Sequence, residues 1–296
     1  MIYNGVNVED TYAEAFSMWG SRLVVTADTP EWAMTAAVSA TGFATSVIGC
    51  GCEAGIEGEL NSTQTPDGRP GTSILIFGVS KSALESQLIS RIGQSIMTCP
   101  TTACYNGLDE GEQIDVGGKL RYFGDSYQSS KFLDKRRFWR IPVMDGEFLV
   151  EQKFCVKKGV GGGNLLILAK DVTSCLEAAQ RAVKSMKKVS GIILPFPGGI
   201  VRSGSKVGST YPFLNASTNV SFCPTLKRQV KTSLSEEVNA VYEIVIDGLD
   251  EKSVRDAMGY GLLAATSCNV ISITAGNYGG NLGQYKFYLL EILKNM

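Results

Sequence analysis

The sequence contains no histidine in 296 residues. Histidine is the usual general base near neutral pH, and its imidazole is a frequent zinc ligand. Its absence excludes Ser-His-Asp and Cys-His catalysis and every zinc site that needs an imidazole. Any acid–base chemistry must therefore come from a carboxyl group, a lysine, a tyrosine, a cysteine or the substrate itself.

Other absences narrow the class of protein further. The net charge is −1, and the basic residues between Lys131 and Arg140 are interrupted, so nucleic-acid binding is not predicted. No apolar stretch is long enough to cross a bilayer, and the first residues lack the pattern of a signal peptide, so we expect a cytoplasmic protein without membrane contact. None of the eight cysteines forms a Cys-x-x-Cys pair, which favours free thiols over a metal site.

A strand–helix–strand pattern occurs four times along the chain. The four units begin at the strands SRLVVTA, TSILIFGV, NLLILA and VYEIVID, and the first returns through ATSVIG. In the first unit, Pro30 is expected at the first helical position with Thr29 as the cap. In the other units, apolar residues three to four positions apart predict one buried helix face each. These residues are Leu84, Leu88, Ile92 and Ile96; Leu176, Ala179, Val183 and Met186; and Val254, Met258 and Leu262.

Two pairs of such units predict an α+β fold with two ferredoxin-like β-α-β-β-α-β lobes, related by internal duplication, with inserted β segments. The N-terminal lobe is predicted over residues 1–146 and the C-terminal lobe over residues 147–296. Residues 108–158 do not fit the repeat and are interpreted as a bridging β segment. Residues 202–238 are interpreted as an irregular connection.

Two similar glycine turns end the second strands of the third and fourth units. They are PFPGG at residues 195–199 and AGNYGG at residues 275–280. Glycine permits positive φ and a close approach of the backbone to a ligand. The two turns therefore either form a shared rim of a ligand site or serve only the fold. The stretch GGIVRSGSK nearly matches a phosphate loop, but the exchanged order of Ser205 and Lys206 disfavours nucleotide binding.

A carboxyl group on the strand of the fourth unit is a catalytic candidate. Residues alternate between the faces of a strand, so VYEIVI places Glu243 between Val241 and Val245 on a largely apolar face. Desolvation there would raise the pKa of the carboxyl group, and a protonated carboxyl can donate to a developing oxyanion. The alternative is a glutamate paired with a lysine or arginine on a half-exposed sheet face.

Long motifs along the chain resemble those of the formylmethanofuran:tetrahydromethanopterin formyltransferase family. The matching stretches are ATGFATSVI, EAGIE, QTPDGRPG, PFPGGIV, SGSKVG, ASTN, VYEIVIDGL and AGNYGG. The resemblance covers nearly the whole chain. GCGCEAGI, YFGDSYQ, VMDGEF and VGGGNLL are more similar to the bacterial branch, in which the protein is a subunit of a formyltransferase/hydrolase complex used in formaldehyde oxidation.

The resemblance implies reversible formyl transfer between a ring nitrogen of tetrahydromethanopterin and the primary amine of methanofuran or a methanofuran-like coenzyme. It implies no metal and no prosthetic group, and a homotetramer built as a dimer of dimers with active sites at a subunit interface. The proposed catalytic glutamate of the family matches Glu243. The alternatives are a non-catalytic subunit that carries coenzyme for a hydrolase partner, and a ferredoxin-like module that senses a small ligand.

The resemblance and the local chemistry also indicate residues that bind the two coenzymes. These candidates are Asp67, Arg69, Pro197, Gly198, Gly199, Ser203, Ser205, Lys206, Asn277 and Tyr278. Lys206, with Arg202 and the nearby glycines and serines, is expected to hold an anionic coenzyme tail. Asp67 and Arg69 either orient polar groups of a substrate or stabilise an Asp-Gly turn. Asn277 and Tyr278 are expected to contact a pterin or furan ring, with a packing role as the alternative for Tyr278.

Overall fold

The structure, a computed structural model, describes residues 1–133, 135–281 and 283–296. Asp134, inside the basic segment noted above, and Leu282 lie outside the described residues. Contacts divide the chain into two compact units. The C-terminal unit comprises Met1–Ser17 and Val160–Met296, and the N-terminal unit comprises Met18–Gly159. Residues 1–17, predicted in the N-terminal lobe, belong to the C-terminal unit, and residues 147–159 belong to the N-terminal unit. The predicted domain boundary between residues 146 and 147 stays a prediction.

Both units contain helices and strands. The α-helices of the described residues are α1 (Pro30–Thr41), α2 (Val47–Cys50), α3 (Lys81–Arg91), α4 (Gly117–Leu120), α5 (Val172–Met186), α6 (Glu251–Ala265) and α7 (Leu289–Lys294). The strands are β1 (Ile2–Tyr3), β2 (Val6–Val8), β3 (Tyr12–Thr26), β4 (Glu53–Leu60), β5 (Gly71–Gly78), β6 (Ala103–Asn106), β7 (Glu112–Asp115), β8 (Ser129–Leu133), β9 (Arg136–Val143), β10 (Gly146–Glu151), β11 (Lys153–Ala169), β12 (Ile192–Ile193), β13 (Lys206–Val207), β14 (Ala216–Ser217), β15 (Ala240–Gly248), β16 (Ser272–Thr274) and β17 (Tyr285–Tyr288). Of the helices in the described ranges, none combines the length and the apolar character that a bilayer crossing requires.

The N-terminal unit is built on four antiparallel strands. The end of β3 pairs with β5 and β6, and β5 pairs with β4, which gives the strand order β6-β3-β5-β4. Along the chain these elements follow one another as β3-α1-β4-β5-α3-β6. Alanines of α1 and leucines of α3 pack with apolar residues of β3 and β5 in one core, so both helices cover the same sheet.

The C-terminal unit repeats this arrangement. β11 pairs antiparallel with β15 and β16, and β15 pairs with β12, which gives the strand order β16-β11-β15-β12. Its chain order is β11-α5-β12-β15-α6-β16. Buried residues of α5, α6, β11 and β15 form its core. The fold is therefore mixed α/β, with helices packed on antiparallel strands.

Most local predictions are confirmed. The Thr29 side chain caps α1 and accepts from Trp32 N, with Pro30 at the start of the helix. The predicted faces of α3 and α6 are buried, and the π-helical turn Ile92–Ile96 continues the face of α3. In α5, Leu176 is only half-buried, because Cys175 occupies the buried position beside it.

Two local predictions need correction. ATSVIG does not form a strand: Ser46 caps the short helix α2, Gly51 ends it at φ 77°, and the returning strand is β4. The bridging segment contains the strands β7 to β10, as predicted, but part of KLRYFGDSYQ is helical, in α4 and the 3-10 turn Arg121–Gly124. The predicted irregular connection contains only short strands and 3-10 turns.

Leu88 tests the core of the N-terminal unit. Its side chain is fully buried between α3 and the sheet, so Leu88→Ala leaves a cavity and should lower the free energy of unfolding by about 2–5 kcal/mol. Denaturant unfolding measures the change. Ser86→Ala, at an exposed position of the same helix, is the control and should change stability by less than about 0.5 kcal/mol. Equal effects of the two substitutions would contradict the assignment of this core.

Candidate functional site

Glu243 lies in the middle of β15 with neighbouring backbone on both sides. Leu166 of β11 is its partner across the ladder. On the other edge, Val201 N donates to Glu243 O over 2.7 Å, and Glu243 N donates to Val201 O over 3.1 Å. The strand therefore cannot shift its register, and the direction of the Glu243 side chain is set by the backbone.

The predicted alternation of β15 is confirmed. Ile244 and Ile246 are fully buried in the core beneath the helices. Val241, on the opposite face with Glu243, packs against a second apolar cluster that includes Leu166 and Leu234. The carboxyl group thus leaves the sheet on the face away from the helices, among apolar side chains.

Burial raises the pKa of Glu243 to about 7, and desolvation is the cause. Within residues 1–133, 135–281 and 283–296, no lysine or arginine forms an ion pair with this carboxyl group. Glu243 is half-buried, as the alternative of a paired glutamate on a half-exposed face expects, but the described residues do not provide the ion pair that this alternative requires. The catalytic role of Glu243 stays a prediction. A carboxyl group with a pKa near 7 can both hold and release a proton under ordinary conditions.

Two clefts of the C-terminal unit meet at Glu243. The larger has a volume of about 380 Å³ and the smaller about 170 Å³. Their walls share four residues: Leu166, Asn219, Phe222 and Glu243. Two bound molecules, one in each cleft, would both reach the same carboxyl group.

Five of the predicted substrate-binding residues line these clefts. Ser205, Lys206, Asn277 and Tyr278 lie in the wall of the larger cleft, and Ser203 lies beside Arg202 in the wall of the smaller. Residues separated by about seventy positions in the sequence thus meet at one site.

Pro197, Gly198 and Gly199 lie outside the walls of both clefts. They form a 3-10 turn in which Gly198 has φ 64° and Gly199 has φ 80°. A Cβ on Gly199 would come within 3.1 Å of the Val183 side chain, so the turn is packed against α5. The turn leads directly into Val201, and its visible role is to bring that residue onto β15. Substrate binding by these three residues stays a prediction.

Asp67 and Arg69 belong to the N-terminal unit, in the turn before β5. Arg69 pairs with Asp67 over 2.9 Å and with Asp28 over 3.0 Å, and Tyr105 donates to Asp67. Burial opposes ionisation of Asp67, but hydrogen bonds from Thr26 and Arg69 outweigh it and lower the pKa. These contacts favour the turn-stabilising alternative, and a role in substrate binding stays a prediction.

Sequence reasoning missed the buried polar residues that hold the larger cleft. Asn164, in β11, accepts from Gly276 N over 2.6 Å and donates to Gly276 O over 3.2 Å. Glu14, in β3, accepts from Tyr278 N over 2.7 Å. No spacing rule could have connected these pairs, since their partners lie more than a hundred residues away in the sequence.

Tyr278 faces Glu243 from the glycine turn. Burial raises the pKa of its hydroxyl, and the charges of Glu243 and Glu14 raise it further. Its ring lies 6.0 Å from that of Phe16, and the residue remains 36% exposed. Tyr278 is thus packed on one side and open to the cleft on the other, which accommodates both roles considered for it.

The model of the formylmethanofuran-tetrahydromethanopterin formyltransferase family matches residues 1–143, and the model of its proximal lobe matches residues 146–292. The formylmethanofuran–tetrahydromethanopterin formyltransferase of Methylobacillus flagellatus is 53% identical over 99% of this chain and 100% of that protein.

Two solved structures are similar over their whole length. The formyltransferase of Methanosarcina barkeri has a TM-score of 0.93 and 48% identity, covering 99% of this chain and 100% of that one. A chain of the formyltransferase/hydrolase complex of Methylorubrum extorquens, solved with methylofuran, has a TM-score of 0.96 and 50% identity, covering 99% of this chain and 98% of that one.

The raised pKa of Glu243 predicts a pH-dependent cost to stability. The folded state binds the proton more tightly than the unfolded state, so stability falls as pH rises from about 4.5 to about 7. Glu243→Gln removes the charge and should raise the free energy of unfolding by about 1–3 kcal/mol at pH 8, but not below pH 4.5. Chemical denaturation across this pH range measures the difference. A constant difference at all pH values would show that Glu243 is not desolvated.

Proposed function

The chain belongs to the formylmethanofuran–tetrahydromethanopterin formyltransferase family, and from that premise we propose that it transfers a formyl group reversibly between tetrahydromethanopterin and methanofuran or a methanofuran-like coenzyme. Both coenzymes are substrates, and neither is a resident group. The observation that carries this proposal is the desolvated carboxyl group of Glu243 at the junction of two clefts.

The reaction needs a proton donor and precise placement of two molecules. The amine of one coenzyme attacks the formyl carbon on the nitrogen of the other, and the formyl oxygen becomes an oxyanion in a tetrahedral intermediate. Glu243, protonated, donates a hydrogen bond to that oxygen and passes a proton between the two nitrogens as the old C–N bond breaks. Holding both coenzymes in line can lower the barrier by roughly 7–11 kcal/mol, so a strong base is not needed.

The walls of the clefts suit the parts of such coenzymes. Lys206 and Ser205 in the larger cleft provide a cation and a hydroxyl for an anionic tail. Asn277 and Tyr278, in the same wall, provide an amide and an aromatic ring for a heterocycle. We assign Ser203 to substrate binding in the smaller cleft. We also propose Asp67 and Arg69 for substrate binding, although the ion pair between them already supports the turn that they form.

We also infer that the two units are ferredoxin-like lobes related by internal duplication. Two observations support this. The elements of both units follow the chain order β-α-β-β-α-β, and in both the fourth strand lies beside the first, the first beside the third, and the third beside the second.

For assembly, we propose a homo-oligomer, most simply a dimer of dimers. Docking onto hydrolase subunits is the alternative, favoured by the similarity to a chain of the Methylorubrum extorquens complex. We propose a cytoplasmic location, which suits the free cysteines of the described residues, and a role in formaldehyde oxidation. The mass of the native particle, alone and with hydrolase subunits, distinguishes the two assemblies.

A formyl-transfer assay tests the role of Glu243. Glu243→Gln keeps the shape of the side chain but cannot transfer the proton, and should lower kcat by about 10²–10³-fold. In the wild type, kcat should fall as pH rises through about 7, because the donor is lost, and this dependence should disappear in the variant. Glu236→Gln, at an exposed position, is the control.

The same assay separates the enzyme from the binding platform. A wild type that binds both coenzymes but does not transfer the formyl group would contradict the proposal and favour a platform subunit. Wild-type turnover in Glu243→Gln would contradict the catalytic role of the carboxyl group.

Lys206 tests the binding of the anionic tail. Lys206→Ala should raise the KM of one coenzyme about tenfold, equivalent to about 1.4 kcal/mol, with little change in kcat. The effect should shrink at high ionic strength, because salt screens the charge. Lys231→Ala, in the same connection but exposed and outside both cleft walls, should bind like the wild type. Unchanged KM values for both coenzymes would remove Lys206 from the site.

A further inference from the structure

The glycine turn that carries Tyr278 is held by one buried carboxyl group. Glu14, in β3, is fully buried. One of its oxygens accepts from Tyr278 N over 2.7 Å and from Gly280 N over 2.9 Å, and the other accepts from Gly283 N over 2.5 Å. A carboxylate has about four acceptor sites on two oxygens, so a single side chain can satisfy several backbone donors.

The surrounding backbone can take this path only with glycine. Gly280 has φ 75°, in the left-handed region, and a Cβ at Gly283 would come within 2.5 Å of Ala15 O. The close approach of the chain to β3 is what brings three N–H groups within reach of Glu14. The turn therefore depends on Glu14 for its shape, and Glu14 depends on glycines for its donors.

The same turn forms part of the wall of the larger cleft. Gly276, Asn277 and Tyr278 line the cleft beside Glu243. Asn164 holds the beginning of the turn through both polar groups of Gly276, and Glu14 holds the remainder. The Phe16 ring, two residues after Glu14 in β3, supports the ring of Tyr278 at 6.0 Å.

We propose that Glu14 is a positioning residue for formyl transfer: it fixes the 276–281 turn so that Asn277 and Tyr278 are preorganised to bind a coenzyme in the larger cleft. Glu14 is fully buried and is not one of the residues that line either cleft. Its contribution passes through the turn, and this inference rests on the proposed function of the cleft.

The kinetic test is Glu14→Gln with both coenzymes varied. The amide replaces one acceptor oxygen by a donor, which cannot accept from the turn. If the competent form of the turn falls to about a tenth of the population, the KM of the coenzyme in the larger cleft rises about tenfold, while kcat at saturation stays within about threefold. A purely structural role would instead lower the amount of active enzyme, and thus apparent kcat, without changing either KM. Wild-type KM values for both coenzymes, or a loss confined to kcat, overturn the proposal.

Two controls make the test specific. Glu53→Gln alters another buried glutamate that accepts from a backbone N–H, that of Val47, in the N-terminal unit, and should leave both KM values unchanged. In the Tyr278→Ala background, Glu14→Gln should raise KM by much less than tenfold, because both changes act through the same turn. If the KM of the double variant rises by the product of the two single effects, the two residues act independently and the proposal is overturned.

Hydrogen exchange tests the same claim in the wild-type protein, without any variant that must fold. The amides of Tyr278, Gly280 and Gly283 should exchange at least about tenfold more slowly than the amide of the exposed Gly279, which donates to the neighbouring Asn277 side chain over 3.3 Å. Equal exchange at these positions overturns the proposal. The proposed function fails separately: a wild-type protein that binds both coenzymes but does not transfer the formyl group contradicts it, whatever the KM values of Glu14→Gln and the exchange rates show.

Discussion

The structure of the site depends on one constraint: a carboxyl group that forms no ion pair within the described residues leaves the centre of a sheet beside an apolar cluster. Backbone bonds to β11 and to Val201 fix Glu243 on both edges of β15, so its side chain leaves the sheet on the face opposite the helices. Keeping the group there raises its pKa to about 7 and costs stability when it ionises. Groups whose pKa is shifted strongly by burial, at a cost in stability, are concentrated at functional sites of proteins.

The parts of the cleft that bind substrate are loops, and buried polar side chains give these loops their shape. Glu14 and Asn164 extend from two strands and satisfy the backbone of one glycine turn. The connection that carries Lys206 has little regular structure and faces this turn across the larger cleft. The sheet thus supplies the rigid donor, and the anchored loops supply the binding groups around it.

Periodic patterns account for what the sequence could predict. The alternation of β15 and the apolar faces of α3 and α6 reflect burial on one side, which is a local and repeated signal. The prediction of a strand at ATSVIG was wrong because a short apolar run fits a strand or one helical turn equally well. Here Ser46 caps a helical turn. Glu14 could not be found, because its partner Tyr278 is 264 positions away and only the folded chain connects them.

The central claim is that Glu243 titrates near pH 7, so that a substantial fraction of this carboxyl group is protonated at neutral pH. The most direct measurement is a pH titration of the glutamate carboxyl carbons by ¹³C NMR, with the Glu243 signal identified by its absence from Glu243→Gln. The account predicts one carboxyl group that titrates near pH 7, well above the usual range for glutamate. A Glu243 signal that titrates near pH 4.5, and is therefore fully ionised at pH 7, would contradict the account.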